Sequence, residues 1–153
     1  MIDLDKFGLK GIKRPGFKPT ATEEELNELE QFYGHPLPEI YKEIMRKYNT
    51  FFSKYGCFDV YDQRFYLNYF FSLGSNKDAP RNIWSVIQSV SCYTGPGTLP
   101  FATDESNEIY FFKWIEDHSE IWILRSDELE TPEDCPIIES LEELLSRLYI
   151  SDC

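Results

Sequence analysis

The sequence predicts an α+β domain with two N-terminal helices, a central and mainly antiparallel sheet, and a C-terminal helix. Three observations carry that expectation. Apolar residues recur at helical spacing behind capping-box signatures near both ends of the chain. The middle changes to short aromatic and β-branched runs bounded by turn residues. The 153 residues, 42% hydrophobic with 12 Phe and 10 Tyr, suffice to bury one core without metal or disulfide staples, so one domain over 1–153 is expected.

Residues 1–19 carry Gly8, Gly11, Gly16, Pro15 and Pro19 among several lysines, the composition of an extended arm lying on the domain. Thr22 and Glu25 form a capping box, in which hydroxyl and carboxylate each accept a backbone N–H of the first turn. Leu26, Leu29, Phe32 and Tyr33 then share one helical face until Gly34 stops the run. Leu37-Pro38 restarts the chain, because proline in a first turn gives up an N–H that had no partner there. Ile40, Tyr41, Ile44, Met45 and Tyr48 follow at spacings of three and four, giving a second helix to about Asn49.

From Phe51 the pattern suits strands, expected at residues 57–61 and 65–73. Residues 82–90 fit a short helix that packs Ile83, Ile87 and Val90, bounded by Pro80 and by Gly95-Pro96-Gly97. Residues 108–115 and 120–124 read as an antiparallel hairpin joined by Glu116, Asp117, His118 and Ser119. Ser140 and Glu143 form a second capping box ahead of the closing apolar face of Leu141, Leu144, Leu145, Leu148 and Tyr149. No internal repeat or linker interrupts the series.

The net charge of −12 is unevenly placed. Up to Thr103 there are 12 acids and 12 bases, whereas 104–153 hold 15 acids and 3 bases. Such a block repels phosphates and anionic headgroups, so nucleic acid and membrane surfaces are poor partners and a cationic protein surface is a good one. The same acids also serve the solubility of an aromatic-rich domain. Cys57, Cys92, Cys135 and Cys153 lack metal-finger or Cys-x-x-Cys spacing and read as isolated thiols, with no metal. With neither a signal-peptide pattern nor a membrane-spanning run, a reducing, cytoplasmic setting is expected.

No catalytic set can be assembled, and an enzyme is not expected. The two histidines, His35 beside Gly34 and Pro36 and His118 in the hairpin loop, read as solvated turn residues. Asp104-Glu105, Glu116-Asp117 and Glu142-Glu143 could serve a hydrolase, which would need one cleft carboxyl held protonated beside an ionised one. Adjacent acids in turns and first helical turns read more simply as helix-dipole partners or solvated charge. Gly95-Pro96-Gly97 is too short and rigid for a phosphate loop and lacks the following lysine, so no cofactor is expected.

The run from Thr22 through Leu26, Leu29, Glu30, Tyr33-Gly34 and Leu37-Pro38 to Tyr41 resembles the paired N-terminal helices and Gly-x-x-Leu-Pro link of the SUKH superfamily. That superfamily includes bacterial toxin-immunity proteins and the fungal Smi/Knr-type cell-wall regulators. Leu99-Pro100-Phe101-Ala102-Thr103-Asp104, followed by Asn107-Glu108-Ile109-Tyr110, is similar to its central strand pair, and Ser140 to Tyr149 to its closing helix. Thr50 and Ser106 depart from the glycine and Gly-Asn common among relatives at those turns. The resemblance implies a scaffold with a variable binding surface, no catalytic set and, in bacteria, neutralisation of a toxin delivered by a neighbouring cell.

Many such toxins are nucleases, whose grooves are basic because they hold phosphate, and an acidic protein can occupy such a groove. The expected partner is therefore a cognate, basic protein toxin bound stoichiometrically. Asp104, Glu105, Glu108, Glu116, Asp117 and Glu120 are the candidates for steering it, with Trp114 as an anchor. Trp122, between Ile121 and Ile123, reads as core, whereas Trp114 beside a charged turn suits core or surface equally. A regulatory scaffold for a cell-wall or signalling factor is the alternative. The oligomeric state is left open.

Overall fold

The computed structural model describes residues 9–11, 20–48, 51–53, 56–60, 63–73, 82–104, 108–124 and 137–148. Helix α1, Glu23–Tyr33, begins with the expected capping box: Glu25 N–H donates to Thr22 Oγ1 at 3.2 Å, and Thr22 N–H donates to Glu25 Oε1 at 2.9 Å. It stops at Gly34, whose φ of +81° is open to glycine but strained for any residue with a Cβ. Helix α2, Glu39–Tyr48, buries the predicted face of Ile40, Tyr41, Ile44 and Met45. Arg46 binds Glu23 through Nε and Nη2 at 2.8 and 2.9 Å, tying the end of α2 to the start of α1.

Helix α3, Ile83–Thr94, is capped by Asn82, whose Oδ1 accepts from Trp84 N–H at 2.9 Å. It runs beyond Val90, because the next buried position of the face is Thr94, and Gly95 at φ +83° then ends it. Helix α4, Leu141–Ser146, starts where Ser140 Oγ accepts from Glu143 N–H at 3.2 Å. Tyr149 lies outside the described residues.

Six strands form an antiparallel sheet in the order β1-β2-β5-β6-β7-β8, with β1 Leu9–Gly11, β2 Phe51–Ser53, β5 Tyr69–Phe70, β6 Thr98–Thr103, β7 Ile109–Ile115 and β8 His118–Leu124. The N-terminal stretch thus contributes an edge strand at Leu9–Gly11, paired with β2. Strands β3, Cys57–Val60, and β4, Gln63–Tyr66, form a separate hairpin. The single strand expected at 65–73 is therefore two. Leu67 N–H donates to the Gly56 carbonyl at 2.8 Å, while Asn68 N–H donates to the Thr103 carbonyl at 3.0 Å, so the chain changes sheets between them. Alternation along a sequence fixes which faces are apolar but is blind to a change of pairing partner.

Tyr41 joins the helices to the sheet: fully buried, its ring lies 5.4 Å from Phe112, 6.3 Å from Phe101 and 6.0 Å from Phe70. Phe101 in turn stacks on Phe112 at 4.1 Å. Phe101 is the extra residue where the β6–β7 register shifts between Pro100 and Ala102. The small hairpin packs on the sheet through Phe58, 5.9 Å from Tyr110, whose hydroxyl donates to the Tyr66 carbonyl at 2.6 Å.

Candidate partner-binding site

Strands β7 and β8 pair in register from Ile109 with Leu124 to Ile115 with His118. Directly opposed residues share a face, so Trp114 and Ser119 point to one side of the sheet while Lys113, Glu120, Ile115 and His118 point to the other. On the Trp114 side the α1–α2 link lies against the end of the hairpin. Tyr33 Oη and Ser119 Oγ are 2.7 Å apart, and the His35 ring stacks on Trp114 at 4.5 Å with 6° between the planes. Burial pushes the Tyr33 hydroxyl up to about 12. Glu30 fixes the link behind them, accepting from Leu37 N–H at 2.8 Å and from Lys42 Nζ at 2.9 Å.

The hairpin turn is tighter than the four-residue loop expected, because His118 and Ser119 already belong to β8. Asp117 N–H donates to the Ile115 carbonyl at 2.6 Å around Glu116 at φ +55°, a γ-turn geometry that non-glycine residues rarely adopt. The turn brings Asp117 Oδ1 to 2.9 Å from His118 Nδ1, and Glu120 Oε2 lies 3.3 Å from Nε2. The hydrogen bond to Asp117 raises the His118 pKa above its ordinary value, with Glu120 adding to it, and the same contact lowers that of Asp117.

The third element arrives from the far end of the sequence. Ile121 N–H donates to the Ile138 carbonyl and Ile137 N–H to the Ile121 carbonyl, both at 2.9 Å, so residues 137–138 pair with the outer side of β8. That pairing sets Glu139 and the first turn of α4 beside the hairpin tip. A cleft of about 330 Å³ results, lined by Pro36, Pro38 and Trp114 together with Asp117, Glu139 and Glu142. A second cleft of about 520 Å³ adjoins it, sharing Glu139 and Ser140 and adding Glu120, Glu143 and Arg147. Arg147 is already engaged, with Nε 2.9 Å from Glu143 Oε1 and Nη1 3.3 Å from the Asp59 carbonyl.

The model of the SMI1 / KNR4 family (SUKH-1) matches residues 20–147, from just before α1 to just after α4. The chain belongs to that family. SUKH proteins are generally non-catalytic immunity or regulatory proteins, and toxin-immunity proteins are among them. No curated protein and no solved structure matches. Among the described residues of this SUKH chain, no group of three or more His, Cys, Asp and Glu could hold a metal ion, and no helix is long and apolar enough to cross a membrane.

The SUKH fold separates the candidate residues into two groups. Trp114, Glu116, Asp117 and Glu120 gather at the hairpin tip, where all but the exposed Glu116 line the two clefts. Asp104 and Glu108 lie at the other end of β7, about 20 Å away by strand length. Asp104 is buried at 6% exposure, and its Oδ1 accepts from Glu108 N–H at 2.9 Å, so its carboxylate is withdrawn from a steering surface. Glu105 lies outside the described residues. Trp122 is in the core as expected, with Lys113 Nζ 4.2 Å from its ring centroid. Of the two histidines expected as solvated turn residues, His118 is exposed, though it already belongs to β8 and sits between two carboxylates, while His35 lies in the bend after α1 but is half-buried and stacked on Trp114.

Pro36, Pro38 and Glu139 line the candidate cleft without having been singled out as site residues in the sequence, and Glu142, noted there only as one of an acidic pair, joins them. The link motif and the second capping box were both visible, but nothing in either indicates that they meet.

Proposed function

We propose that this SUKH chain is a cytoplasmic immunity protein that binds a cognate basic toxin, a nuclease, and neutralises it stoichiometrically through the face between the hairpin tip and α4. The observation that carries the reading is the convergence of Asp117, Glu120, Glu139, Glu142 and Glu143 from two distant parts of the sequence around adjoining clefts with an aromatic and proline wall. Clustered carboxylates complement the phosphate-binding groove of a nuclease and speed encounter with it. Mounting them on a paired hairpin and a capped helix lowers the ordering cost of binding. Trp114, positioned by His35, is the type of residue that dominates interface energies.

The test is co-purification of the tagged chain with the toxin domain encoded immediately upstream, followed by titration at low and high salt. A one-to-one complex that abolishes toxin activity and weakens as salt rises is the expected result. Trp114→Ala should then cost about 2 kcal/mol or more of binding free energy. Absence of binding, or binding indifferent to both salt and Trp114, would overturn the reading. The regulatory members of the family support a second reading, a scaffold for a cell-wall or signalling factor, favoured if an encoded toxin exists and is not bound.

A further inference from the structure

We infer that the cleft between the α1–α2 link and α4 is an arginine receptor, taking one guanidinium side chain from the protein partner. The inference rests on the reading of this face as the partner surface and goes further by naming what enters it. The cleft, at about 330 Å³, has room for a single long side chain, and its walls are of two kinds. Pro36, Pro38, Ile40 and Trp114 contribute apolar and aromatic surface to its lining, and Asp117, Glu139 and Glu142 contribute carboxylate-bearing residues.

That pairing matches a planar, weakly hydrated cation that stacks by its face and donates by its edge, which describes guanidinium better than ammonium. His35 stacks on one face of the Trp114 indole with 6° between the planes, and Trp114 also lines the cleft. His118 also lines the cleft, and when protonated it offsets one of the three carboxylates, leaving a net charge of −2 on the lining side chains. The N-terminal end of α4 adds about +0.5 of dipole charge, which is not enough to reverse the sign.

The experiment uses the whole chain, labelled with 15N, and three blocked tripeptides of glycine, X and glycine in which X is arginine, citrulline or lysine. The probe is the indole N–H resonance of Trp114, assigned by its loss in Trp114→Phe. The arginine peptide should move it saturably, and the uncharged citrulline peptide should bind at least about tenfold more weakly, because charge and stacking must act together. Glu139→Gln combined with Glu142→Gln removes two exposed carboxylates without disturbing the core and should weaken the arginine peptide by about fivefold or more.

An unmoved Trp114 resonance, equal binding of citrulline or lysine, or arginine binding undiminished in the double variant would each overturn the inference. If the chain binds its toxin while the arginine peptide leaves Trp114 unmoved, this inference falls and the proposed function stands. If the peptide binds at Trp114 but no toxin is bound, that reading falls and the receptor remains.

Discussion

Three side chains at or near the candidate site have opposite energetic standing, and simple substitutions separate them. Tyr33 Oη is hydrogen-bonded to Ser119 across the helix–hairpin boundary, so Tyr33→Phe should destabilise the chain by about 1 kcal/mol in denaturant titration. Tyr41 Oη is buried with no hydrogen-bond partner among the described residues, so burial alone raises its pKa and Tyr41→Phe should be neutral or stabilising by the same measurement. His118 is the titrating group. Its folded pKa lies above its unfolded value, so its contribution to stability is complete below the ordinary histidine range and is lost as pH rises through the folded value. An NMR titration should therefore show His118 protonated above its ordinary pKa, and Asp117→Asn should return it most of the way. A wild-type His118 with an ordinary pKa would contradict the Asp117–His118–Glu120 arrangement.

The starts of α1 and α4 were legible because a cap is local: Thr22 and Glu25 form the full box, while at α4 only Ser140 accepts from Glu143 N–H and the Glu143 carboxylate turns to Arg147. Thr22→Ala removes the acceptor for Glu25 N–H and should cost about 1 kcal/mol, read as a lower thermal midpoint with the cooperative transition intact. The strands were legible as types and less so as partners. Residues 65–73 showed a strand-type aromatic run, yet they divide between two sheets because Gly56 and Thr103 offer carbonyls to successive residues. The length of α3 was underread for a related reason. Its last buried position is Thr94, a polar residue whose hydroxyl is satisfied locally by Thr98 at 2.8 Å, so no apolar signal marks the final turn.

Across the molecule, the aromatic cluster of Tyr41, Phe70, Phe101 and Phe112 connects α2 to three strands. Phe101→Ala, at a position with no exposure, should cost about 3–5 kcal/mol and lower the unfolding midpoint far more than any cleft substitution. The sequence by itself determined the α+β class, the helix caps, the apolar faces, the acidic bias after Thr103 and the tryptophan that belongs to the core, because each depends on local spacing or composition. Only the tertiary structure decided which acids lie together. Pairing of Ile137 and Ile138 with Ile121 brings Glu139 and Glu142 to Asp117 and Trp114, while the length of β7 carries Glu108 away and Asp104 is buried. A site made of residues from the α1–α2 link, the hairpin and α4 exists only through non-local contacts, and one-dimensional patterns carry no term for them.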